Sequence, residues 1–172
     1  MIKSRQLVFG SFTVAIFLMA TMVSVAHGND RGEAKATIDK AQVTLDYGRP
    51  SLNGRDVLKL ITPGKIWRLG SDASTTIESN VDLDFGGTRV AKGKHILLAR
   101  LVEPGKWTLV VSSKSAQQYE PGAKLAEVPM EFHEESDPVE ELTIKLSNTS
   151  GRGVIEIAWG SARLVASFTP AR

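Results

Sequence analysis

The chain has 172 residues, with 21 Lys and Arg against 19 Asp and Glu, and no cysteine. The missing thiols exclude disulfides, thiolate metal centres and a cysteine nucleophile, so apolar burial must hold the fold together unaided. Near-balanced charge excludes a general electrostatic pull toward nucleic acid.

The first element in the chain is a leader. Lys3 and Arg5 precede an apolar run from Leu7 to Val23, and Ser24-Val25-Ala26 supplies small residues where a signal peptidase reads. This is the layout of a secretory signal peptide over 1–26. The run is long for such a leader, so retention as an uncleaved membrane anchor is the competing reading. No cysteine follows it, which rules out lipid anchoring there. Cleavage leaves one domain's length of chain with no membrane span, able to bury about two-thirds of its unfolded surface. The polar stretch 27–35 reads as a flexible lead-in and 36–172 as the domain.

Beyond the lead-in the apolar period is two. Val43, Leu45 and Tyr47 alternate with polar residues, and Val81, Leu83 and Phe85 do so ahead of Gly86-Gly87, a two-residue hairpin turn. His95, Leu97, Ala99 and Leu101 form one strand face. Glu103-Pro104-Gly105-Lys106 is a tight turn, and Trp107, Leu109 and Val111 return from it. Leu142, Ile144 and Leu146 make a further stripe, then Ile155, Ile157 and Trp159, a turn at Gly160, and Leu164, Ala166 and Phe168. Only Arg55–Ile61 suggests a helix, of barely two turns. The pattern predicts an all-β single domain, an antiparallel β-sandwich or jelly-roll-like fold.

One stretch, Tyr47 to Ser74, combines turn residues with three arginines, a tyrosine and a tryptophan. Its Tyr47, Arg49-Pro50-Ser51, Gly54-Arg55, Trp67-Arg68, Gly70, Ala73 and Thr75-Thr76 resemble the bacterial secreted or periplasmic family known as a domain of unknown function, DUF2911. Gly86-Gly87, Gly93, Leu97, Trp107-Thr108-Leu109 and Ala158-Trp159-Gly160 are similar in order and spacing, so the resemblance runs from about Ala36 to Phe168. Two departures stand out. His95 occupies a position where the family usually has tyrosine, and the family's central Trp-Gly region has no match in Ser112–Tyr119. The resemblance implies a secreted or periplasmic location in a bacterium and brings no activity with it.

The candidate ligand site is Tyr47, Arg49, Arg55, Trp67 and Arg68. Guanidinium forks bind carboxylate or phosphate in bidentate fashion, and aromatic faces stack on sugars or bases. The competing reading has the same arginines satisfying carbonyls of a bent loop or pairing with nearby Asp and Glu, with Trp67 in the core. Other constellations are weaker. His27 with His95 or His133 would make a copper brace only if a polar lead-in were pinned beside a second histidine. The acidic run His133–Glu141 reads as a solvated hairpin tip and not as a calcium loop, which wants alternate ligands and a glycine turn. Ser51, Ser74, Thr75 and Thr76 have no histidine nearby in sequence to activate them. No catalytic residue, cofactor or metal is therefore assigned, and the reading leans away from an enzyme. The expectation is a secreted or periplasmic module binding a small polar or anionic ligand. An envelope structural domain with a protein partner is the alternative, and a hydrolytic or carbohydrate-modifying enzyme the third.

Overall fold

Alternating side chains put every second residue of a strand on one face, and that rule sets the interior of this molecule. The structure, a computed structural model, describes residues 30–172. The expected signal peptide 1–26 and His27 lie outside them. Strand β1 (Arg31–Ile38) pairs with β2 (Ala41–Gly48), which buries Ala41, Val43, Leu45 and Tyr47. A long connection carrying α1 (Val57–Leu60) and β3 (Ile66–Trp67) leads to β4 (Thr76–Ser79). The hairpin β5 (Leu83–Phe85) and β6 (Thr88–Val90) follows, turning at Gly86-Gly87 with φ of 62° and 90°. Then come β7 (Gly93–Glu103), β8 (Lys106–Ser112), β9 (Lys124–Thr149) and β10 (Arg152–Pro170). Among the described residues no helix is long and apolar enough to cross a membrane.

All pairings are antiparallel, in the order β1-β2-β4-β7-β8-β9-β10-β5-β6, with β3 on β7. The two layers expected of a sandwich are two halves of this one open sheet. β9 lends its first part to β8 (Trp107↔Met130) and its last part to β10 (Ile157↔Ile144), and both parts bury residues in the same core. β1 packs across β9 and β10 without pairing with either. The Asn148 side chain fastens these layers by donating to the Thr37 carbonyl at 3.0 Å.

Four expectations change. The stretch 31–35, placed in the flexible lead-in, is strand. Its small residues Gly32 and Ala34 leave room for β2, and a Cβ at Gly32 would lie 2.4 Å from the Tyr47 ring. The acidic run is not a hairpin tip. It is a bulge within β9, where Glu134 faces Ala162 but Val139 already faces Gly160, so the extra residues are pushed into solvent. Gly160, at φ 61°, bends β10 at this bulge instead of ending a strand. The helix is four residues long. Asp56 caps it by accepting from the Leu58 amide at 3.1 Å.

On the outer face of β7 and β8 the cross-strand neighbours Leu98 and Val110 are fully buried, and segment 113–123, for which the sequence suggested no element, reaches that face through Tyr119. Arg100, on that face, donates to the Tyr119 hydroxyl at 3.0 Å and pairs with Glu127 at 3.3 Å. Burial works against the Glu127 carboxylate and raises its pKa. Hydrogen bonds from Lys124 and Thr108 and the charges of Arg100 and Lys124 outweigh burial, and the net pKa falls below the ordinary 4.5. The folded state thus takes up this proton less readily than the unfolded one. Its stabilisation is present above the unfolded value and is lost as pH falls through the depressed folded value. In thermal melts from about pH 6 to about pH 3, wild type should lose more stability than Glu127→Gln. Parallel pH profiles would remove Glu127 as the acid-sensitive group.

Candidate functional site

The Tyr47–Ser74 segment must carry the chain from the end of β2 to the start of β4 while passing over β9 and β10. Two glycines permit the crossing. A Cβ at Gly48 would lie 2.2 Å from the Ser71 carbonyl, and one at Gly70 would lie 3.0 Å from the Gly48 carbonyl, so backbone meets backbone here. Leu69 is held at φ 53° with its side chain fully buried, a strained conformation fixed by the crossing. Leu52 and Val57 anchor the first half of the segment in the core. Its outer edge is stitched to β9: Leu52 N–H to Glu140 O (2.8 Å), Leu142 N–H to Pro50 O (3.1 Å), and Asn53 N–H to the Glu140 carboxylate (3.0 Å).

Within this frame the five predicted residues separate. Tyr47 is a core residue, its ring over Gly32. The Arg49 Nη2 lies 2.7 Å from Glu141 Oε2, with both side chains partly exposed. Arg55 turns back on its own loop, donating from Nε to Leu52 O and from Nη2 to Ser51 O, each at 2.8 Å. Arg68 Nε donates to Gly70 O at 3.0 Å. Trp67 joins the other two tryptophans, stacked on Trp159 at 5.8 Å with planes 9° apart and edge-on to Trp107 at 6.2 Å. The arginines hold different parts of the connection, and the aromatic residues lead into the core. Of the candidate nucleophiles, Thr75 gives its hydroxyl to the Leu69 carbonyl at 2.5 Å. Two buried polar atoms find no partner here, Ser71 Oγ and Trp159 Nε1.

A second site, which no motif in the sequence announced, lies at the other end of β2. Four chain segments meet there: the β1–β2 turn, the β9–β10 turn, the β5–β6 hairpin, and the end of β10 with the residues after it. Ser150 and Gly151 both take positive φ (52° and 77°), the geometry of a two-residue hairpin turn. Asn148 accepts from the Gly151 amide at 3.0 Å while its amide group holds Thr37, which locks the two turns together. Between them opens a cleft of about 840 Å³. Lys40, Arg89 and Arg152 line it with Asp39 and Asp84.

The charges in this cleft are unevenly matched. Asp84 already accepts from the Gly87 amide at 2.8 Å, and the Asp39 carboxylate lies against Gly151. Arg89 pairs loosely with Asp82 at 3.7 Å and donates to the Arg172 carbonyl. Among the described residues Arg152 makes one long contact, 3.4 Å to the Ser167 hydroxyl, and no ion pair, and Lys40 makes neither. Two cations with no carboxylate partner therefore sit on turns that are fixed relative to each other. Such a pair favours an anion over a neutral ligand.

A family model described as a protein of unknown function, DUF2911, matches residues 29–168. No curated protein and no solved structure matches the chain.

The bonds of Arg55 make it a brace for the connection. Arg55→Ala should cost about 1 kcal/mol and speed hydrogen exchange at the Leu52 and Arg55 amides roughly fivefold. Unchanged protection of both amides would show that the guanidinium braces nothing.

Proposed function

With the chain a member of the DUF2911 family, whose function is unknown, we propose that it is a secreted or periplasmic module that binds a small anionic ligand in the cleft between the β1–β2 and β9–β10 turns. One observation carries this reading: Lys40 and Arg152, both without an ion pair among the described residues, face a cavity of about 840 Å³ from two mutually locked turns. That volume is in the range of small-molecule sites. The planar guanidinium of Arg152 supplies the bidentate contact and Lys40 a mobile point charge. The extracytoplasmic location is supported by the charged-then-apolar leader that ends in Ser24-Val25-Ala26.

A second reading keeps a small polar ligand at the Tyr47–Ser74 connection. What favours it is the partnerless indole N–H of Trp159 beneath Trp67, since buried donors are almost always satisfied. In this reading Trp67 and Arg68 touch the ligand, while Tyr47, Arg49 and Arg55 hold the segment in shape.

Calorimetric titration of the full chain with inorganic phosphate, citrate and glucuronate separates the two. Saturable binding is expected, weakened about tenfold or more in Arg152→Gln and Lys40→Gln and reduced by salt, while Arg68→Lys leaves it intact. Binding lost in Arg68→Lys and kept in Arg152→Gln would move the site to the connection. Absence of saturable binding by all three probes would overturn the module reading.

A further inference from the structure

Resting on the anion-binding reading, we propose that the ligand is amphipathic, an acidic head held by Arg152 with an apolar arm inserted at the seam between the β5–β6 hairpin and β9. The observation is a gap in the sheet. β10 pairs with β9 as far as Val165↔Glu131 and with β5 only from Thr169↔Asp84, so residues 166–168 cross from one partner to the other. A second cavity of about 360 Å³ occupies this gap. It adjoins the charged cleft, and the two share Asp84, Arg152 and Thr169.

The linings differ in chemistry. The larger cavity carries Lys40 and Arg89, whereas the smaller one lacks both and adds Gly86, Val128, Pro129 and Phe168, with Ser167, to the shared Asp84, Arg152 and Thr169. Val128 and Phe168 belong to the central core, so the gap leads from solvent toward its apolar interior. Gly86 keeps that route clear, because a Cβ there would come within 3.1 Å of Val128. Pro129 has no N–H, which removes one polar group from the wall. Arg152 stands where the polar and apolar spaces join. A molecule that fills both must place its charge at that guanidinium and its carbon chain beyond it.

The guanidinium recognises carboxylate and phosphate alike, so two homologous series are titrated into the full chain, all as monomers in solution. One runs from inorganic phosphate through methyl and butyl to hexyl phosphate, the other from acetate through butyrate to hexanoate. Affinity should rise about threefold for each added methylene in the series whose head the cleft accepts. Arg152→Gln should abolish binding of the whole series. Pro129→Trp, which fills the smaller cavity, should flatten the chain-length dependence while leaving the shortest member unchanged. A wild-type series that binds but shows no dependence on chain length overturns the amphipathic ligand and leaves the anion module standing. If no member of either series binds, both proposals fall together.

Discussion

The pairing of β9 with β10 holds both halves of this molecule, because each strand is long enough to serve on two sides of the core. β9 has 26 residues and β10 has 19. A flat ribbon of that length could not enclose anything, and the bulge opposite Gly160–Ala162 bends it. On one side of the bend Ala126, Val128 and Met130 face the core, and on the other Leu142 and Ile144 face it again. Two glutamates in and just after the bend make ion pairs. Glu135 lies 3.0 Å from Arg163, and Glu141 lies 2.7 Å from Arg49 on the connection. The same bend therefore shapes the sheet and provides the shelf on which the Tyr47–Ser74 segment rests.

That segment shows how arginine works as a backbone partner. A connection containing Asn53, Gly54, Gly64, Leu69, Gly70 and Asp72 at positive φ cannot form a regular hydrogen-bond ladder. Its carbonyls need donors from elsewhere. Arg55 reaches back three and four residues and Arg68 reaches forward two to supply them, and Arg49 ties the start of the segment to β9. The strained Leu69 is tolerated because its side chain is wholly inside the core and two backbones cross beside it.

The strands were legible where burial alternates cleanly: the Val43, Leu45 and Tyr47 stripe, the Gly86-Gly87 hairpin, the Pro104-Gly105 turn, and the stripes of Ile155–Trp159 and Leu164–Phe168 all stand as read. β1 was missed because three of its four inward residues, Gly32, Ala34 and Ala36, are too small to register as an apolar stripe, and only Ile38 is large; Gly32 sits against the Tyr47 ring. The bulge was missed because a run of exposed acids looks the same in a turn and in a bowed strand; only its partners on β10 tell them apart. The unusual arginines were legible as a group, and the competing reading named loop carbonyls such as those Arg55 and Arg68 reach; Glu141 on β9, which pairs with Arg49, is the partner no local spacing reveals. The charged cleft was illegible for a simpler reason. Lys40 and Arg152 lie near opposite ends of the domain, and tertiary contacts such as Asn148–Thr37 bring their turns together.

That contact also orders events during folding. The β9–β10 and β7–β8 hairpins join neighbours in sequence, so they close over short loops at small entropic cost. The layer contact of β1 with β9 joins positions 111 residues apart at Asn148 and Thr37, and closing it must await most of the chain between. The cleft is framed by contacts between residues far apart in sequence, such as Asn148 and Thr37. Partly folded chains that already possess their central hairpins have no cleft, and during synthesis the site comes into being only after the C-terminal ribbon has been made.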